Sequence, residues 1–125
     1  MKRDMNLVRT LLIEIEGADS QIIFTDASID GYTLNDIAFH IELMDSHGLL
    51  FGANTQYTSS GRAVNATVEG LSWDGFDYLD AIRSPKVWSK ASNAIRDTVG
   101  ETSLGVIKDV CSTLAASLIK ANLGI

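Results

Sequence analysis

Gly31-Tyr32-Thr33-Leu34-Asn35-Asp36-Ile37-Ala38-Phe39-His40-Ile41-Glu42-Leu43-Met44-Asp45-Ser46-His47-Gly48-Leu49 is the stretch on which the fold turns. Thr33 can cap a helix, Asp36 stands where a capping box needs its acid, and Gly48 follows the last turn, so a helix is expected from about Leu34 to His47. At about 100° per residue, Leu34, Ile37, Ile41 and Met44 share one stripe, the core face. Phe39 and Leu43 fall nearly opposite. They are either core residues of a helix buried on both sides or apolar anchors of a partner-binding face rimmed by Asn35, Glu42 and Ser46.

Upstream, Met5, Val8, Leu12 and Ile15 recur at helical spacing, Leu7 and Leu11 widen the stripe, and Gly17 ends it. Gln21 to Thr25 is β-branched and aromatic, the pattern of a short strand. Downstream, Gly48-Leu49-Leu50-Phe51 should run from helix end into a strand, with Ala63 to Val68 as its antiparallel mate and the polar run Thr55 to Arg62 as a floppy tip. Ser72 can cap a helix whose apolar stripe is Phe76, Leu79 and Ile82. Ser84-Pro85 opens another, with Val87, Trp88, Ala91 and Ile95 facing inward and Gly100 stopping it. Finally, Leu104, Ile107, Cys111, Leu114, Leu118 and Ala121 form a short heptad seam, which can pack on the core or join two copies as a homodimer.

Helix, short strand, helix ending in Gly-Leu, hairpin and helix is the order of a winged helix. The expected class is α+β: a winged-helix-like domain with a small antiparallel β-hairpin wing and additional C-terminal helices. A single domain spans 1–125, with its core at 1–83, the wing at about 49–71 and a helical extension at 84–125. Met1 to Met5, Gly31-Tyr32-Thr33 with Ile37 to His40, Gly48-Leu49, Leu71 to Gly75 with Leu79 to Arg83, and Trp88-Ser89-Lys90 form a further combined pattern. In it the chain resembles an uncharacterised domain-of-unknown-function family, number 2513, of bacteria and their phages. The resemblance implies a winged-helix-like fold and a prokaryotic or phage origin, and it brings no activity and no catalytic residues.

Composition narrows the function classes. Of 125 residues, 46% are apolar and 21% charged, an ordinary globular balance. Charges after Met1-Lys2-Arg3 interrupt any export signal, and Val110 to Ile119 is far short of a membrane span, so a cytoplasmic protein without membrane contact is expected. Cys111 has no partner for an internal disulfide and reads as a buried small hydrophobe. The net charge of −6 is uneven: residues 1–80 hold four basic and thirteen acidic side chains, a balance of −9, whereas 81–125 hold six and three, a balance of +3.

No catalytic constellation stands out, so the protein is expected not to be an enzyme and to need no cofactor or metal. His40 and His47 are seven residues apart, too far along a helix to share one metal, and both read as surface or semi-buried. Asp80 is expected to pair with Arg83. What remains is binding. A helix at 34–47 without Lys or Arg suits a protein partner better than a phosphate backbone, and a phage inhibitor or adaptor acting on a host protein would fit. The alternative is a DNA-binding transcriptional regulator, for which Arg62 on the wing and Arg83, Lys86, Lys90 and Arg96 would supply the cationic footing.

Overall fold

The computed structural model describes residues 1–125. The Thr33 capping box forms: the Asp36 N–H donates to the Thr33 hydroxyl at 3.2 Å and the Thr33 N–H donates to the Asp36 carboxylate at 3.0 Å. It opens α2, Leu34–Ser46, and Gly48 takes a φ of +82° just beyond it. That is the left-handed conformation in which a helix end favours glycine. The other helices are α1, Met5–Gly17, α3, Trp73–Ile82, α4, Pro85–Thr98, and α5, Leu104–Leu123. Ser84 and Ser103 cap α4 and α5 through their hydroxyls, and Pro85 begins α4 as expected. The molecule is α+β.

Five short strands complete it: β1, Ile22–Ile23, β2, Leu50–Phe51, β3, Asn54–Tyr57, β4, Ala63–Val68, and β5, Gly70–Leu71. They pair antiparallel as a three-stranded sheet in the order β1-β4-β3 and a two-stranded one, β2-β5. Two strand expectations need correction. Ala63–Val68 pairs with Asn54–Tyr57 and with β1, while Leu50–Phe51 pairs with Gly70–Leu71. The tip is also shorter than Thr55 to Arg62, because β3 runs to Tyr57. It is a hydrogen-bonded turn: the Gly61 N–H reaches the Thr58 carbonyl at 2.9 Å, and the Thr58 N–H reaches the Arg62 carbonyl at 2.8 Å. Val64 is the extra residue of a bulge, between the pairs Gln56–Asn65 and Tyr57–Ala63.

Where β2 meets β5 the two glycines act as sockets. The Phe51 ring lies over Gly70, where a Cβ would come within 2.6 Å of it, and the Glu69 side chain lies over Gly52. Side chains at 52 and 70 would remove both seats.

The chain divides into two compact units, Met1–Phe76 and Asp77–Ile125. In the first, Leu7, Val8, Leu11, Leu12 and Ile15 of α1 are buried, as are Leu34, Ile37, Ala38, Ile41 and Met44 of α2 and Ala66 and Val68 of β4. The core face of α2 is the expected one. In the second unit, Tyr78, Leu79, Ile82, Val87, Ala91, Ile107 and Cys111 are buried, and α4 packs along α5. Cys111 is a buried thiol, and the Tyr78 hydroxyl donates to the Leu104 carbonyl at 3.0 Å. No helix is long and apolar enough to cross a membrane.

On α3 the apolar stripe is displaced from the expected one. Phe76 is exposed, and Gly75 takes the inward position instead. A Cβ there would collide with the backbone carbonyl of Leu49, so glycine lets the helix approach β2 closely.

Candidate interaction surfaces

The α2 face proposed for a partner is partly committed inside the molecule. Asn35 bridges the hairpin tip: its amide nitrogen donates to the Gly61 carbonyl at 3.1 Å, and its amide oxygen accepts the Ala63 N–H at 2.7 Å. Glu42 is held by β3, accepting the Thr55 hydroxyl at 2.9 Å and the Tyr57 hydroxyl at 3.1 Å. Burial, with the bond to Glu42 added, pushes the Tyr57 phenol above its ordinary range. Phe39 and Leu43 are half-buried, and the exposed Ser46 donates to the Leu43 carbonyl at 3.0 Å. Two of the five residues are therefore clamps between helix and hairpin. Asn35→Ala is expected to cost about 1 kcal/mol and to speed hydrogen exchange at the Ala63 amide, leaving the Ile41 amide protected. Unchanged exchange at Ala63 would mean that the clamp carries nothing.

His40 is neither a surface nor a semi-buried histidine but a fully buried one, 3% exposed. The Asp4 N–H donates to its Nε2 at 2.8 Å, which leaves Nδ1 to carry the proton and donate to the Asp36 carbonyl, also at 2.8 Å. Phe39 meets the ring edge-on at 5.4 Å. Asp4 in turn caps α1, accepting the Asn6 and Leu7 amides, and accepts the Tyr32 hydroxyl at 2.6 Å. This latch joins α1 to α2. Burial pulls the Asp4 carboxyl up, but the Tyr32 hydroxyl and the two amides together bring it below the usual value of 3.8. The same bond, with burial behind it, pushes the Tyr32 phenol from 10.0 up to about 12. The signs follow from linkage: Asp4 stabilises above the ordinary carboxylate range and loses this as pH falls, and Tyr32 stabilises below pH 10.0 and loses this as pH rises towards about 12. An alkaline absorbance titration should therefore show a late phenol step, missing in Tyr32→Phe.

The proposed cations fall in different places. Arg62 is exposed at the hairpin tip of the first unit, and Arg83, Lys86, Lys90 and Arg96 are exposed in the second. Arg83 pairs with Asp80 at 3.2 Å, as expected, and Arg96 donates to Asn93 at 3.4 Å. Both Arg83 and Asp80 are exposed, which limits the pair to at most about 1 kcal/mol. Lys86 and Lys90 are one turn apart on α4, while Arg96 projects from another side.

The seam on α5 splits by depth. Ile107 and Cys111 are buried, Leu104 and Leu114 are half-buried, and Leu118 is exposed. The first half of the stripe is thus core of the second unit, and only its end, with Ile119 and Leu123, is open. Beside it, an open groove of about 560 Å³ is lined by Lys90, Ala94, Asp109, Val110, Thr113 and Leu114.

A surface that sequence reasoning missed lies at the start of α3. Trp73 is 82% exposed and Phe76 44%, and upstream Phe51 is 51% exposed on its glycine seat. Trp73 and Phe76 are neighbours on one helix face. Ser72 fixes that helix start, accepting the Gly75 N–H at 3.0 Å and donating to the Gly48 carbonyl.

Among known proteins, the profile of the family described as "Hypothetical protein (DUF2513)" matches residues 2–101. The chain belongs to the DUF2513 family. An uncharacterised protein of Haemophilus influenzae is 26% identical over 120 residues, covering 95% of this chain and 99% of the relative. The likeness therefore extends past the DUF2513 match and into α5. No solved structure matches this chain.

Proposed function

We propose that this DUF2513 protein is a non-enzymatic, winged-helix-like binding module that acts through contacts with another protein. One observation carries the reading: Trp73, an aromatic side chain of the size that anchors interfaces, is 82% exposed on an ordered helix. The strand order β1-β4-β3 beside α1 and α2 supports the winged-helix comparison. In such a fold α2 would be the helix offered to a DNA groove. It holds Asp36, Glu42 and Asp45 and no Lys or Arg, and its Asn35 is already engaged by the hairpin. A regulatory or inhibitory protein that docks on another protein accounts for these features.

DNA binding is the second reading, favoured by the exposed Lys86 and Lys90 on α4. Mobility-shift titration at low salt, with random duplex DNA and with fragments flanking the gene, separates the two. No shift at micromolar protein is expected; a specific, salt-sensitive shift would overturn the protein-contact reading. Self-association through Leu114, Leu118 and the open end of α5 is compatible with either, and light scattering of the full chain against Leu118→Glu tests it.

A further inference from the structure

We propose that the outer face of α3 receives a cationic, apolar-bearing segment of a partner protein, with Trp73 and Phe76 as its aromatic floor and Asp74, Asp77 and Asp80 as its acidic rim. The inference rests on the protein-contact reading and adds the chemistry of the partner. At about 100° per residue, Trp73, Phe76, Asp77 and Asp80 fall within an arc of about 100°, and Asp74 borders it. All five are exposed, whereas Gly75, Tyr78, Leu79 and Ile82 on the other side are buried. The seat of Gly75 against the Leu49 carbonyl leaves the helix no room to roll its aromatic side inward.

Charge then selects the occupant. α3 contains three aspartates and no Lys or Arg, and the first cation after it, Arg83, pairs with Asp80, the last of the three. A phosphate backbone would be repelled by this rim, as would an acidic peptide. An arginine or lysine gains twice, since its cation can lie over the face of Trp73 while its donors meet the flanking carboxylates. A leucine-like neighbour on the same segment would cover Phe76. The side chains required are arginine or lysine alternating with apolar residues.

The test uses the full chain and three synthetic peptides of equal length: an arginine/leucine amphipath, a glutamate/leucine amphipath of identical pattern, and an arginine/glycine/serine control. Calorimetry measures binding, and nuclear magnetic resonance follows the Trp73 indole N–H, assigned with Trp73→Phe. The arginine/leucine peptide is expected to bind saturably, to shift that indole signal and to weaken roughly tenfold in high salt. Asp74→Asn with Asp77→Asn should weaken it to a similar degree, and Trp73→Ala should abolish it while leaving the melting temperature unchanged. Equal binding of the glutamate/leucine peptide would overturn the charge assignment and leave the protein-contact reading standing. Equal binding of the arginine/glycine/serine peptide would reduce the effect to general adhesion and overturn the proposal. So would an unshifted Trp73 indole, or a dimer that Trp73→Ala dissolves, since the occupant would then be a second copy. A specific DNA shift in the earlier titration is a separate outcome that removes the protein-contact reading itself.

Discussion

Gly75→Ala is expected to lower the thermal midpoint by about 12 °C, equivalent to about 3 kcal/mol at roughly 4 °C per kcal/mol for a chain of this size. A single methyl group is a small change, and in most exposed helices it would stabilise. Here it would meet the carbonyl oxygen of Leu49, a backbone atom that cannot rotate aside as a side chain would. Either α3 withdraws, uncovering Leu71 beside it, or β2 shifts and breaks its pairing with β5. Calorimetric melting of the variant against the parent checks the expectation. A change below about 1 °C would show that α3 is not seated on β2.

The second large effect is on α2. Ile41 is fully buried, and Ile41→Ala should cost about 3–4 kcal/mol through lost burial and the cavity left behind. Leu43, half-buried on the same helix, should cost only about 1 kcal/mol on the same truncation, because surrounding chain and water can fill the space. Urea titration of both variants gives the ratio. Equal costs would mean that Leu43 is as deeply packed as the core stripe, and that α2 presents no apolar edge at all.

How much of this was legible depends on how local the deciding chemistry is. The capping box at Thr33 and Asp36, the serine cap before Pro85 and the Asp80–Arg83 pair involve residues three or four apart, and each is present as the sequence suggested. The core stripe of α2 was equally legible, since periodicity reports burial directly. Strand pairing was not. Ala63–Val68 is apolar enough to attract any partner, whereas its true neighbour Asn54–Tyr57 is polar and looked like loop. That strand is ordered partly by Thr55 and Tyr57 reaching Glu42, a contact between distant residues that no local pattern encodes.

The same limit explains the candidate surface. Asn35 and Glu42 looked like a polar rim because helical periodicity says which way a residue points, not what lies there; the hairpin lies there. Phe76 looked like core because it is apolar and correctly spaced, yet Gly75, which no hydrophobicity pattern favours, holds the inward position. His40 looked like a surface or semi-buried residue because a lone histidine carries no sign of its distant partner, the Asp4 amide.

The two glycine seats at the foot of the hairpin bear on errors that folding must avoid. Short strands such as β2 and β5 offer few ladder bonds to distinguish the right alignment from one displaced by a single residue. Phe51 fits opposite Gly70 and Glu69 fits over Gly52; displaced by one position, each bulky side chain would meet another side chain instead of an empty seat. The pair works like a two-toothed key. A base misaligned by one residue would lose both seats at once, which favours the one register in which both teeth fit.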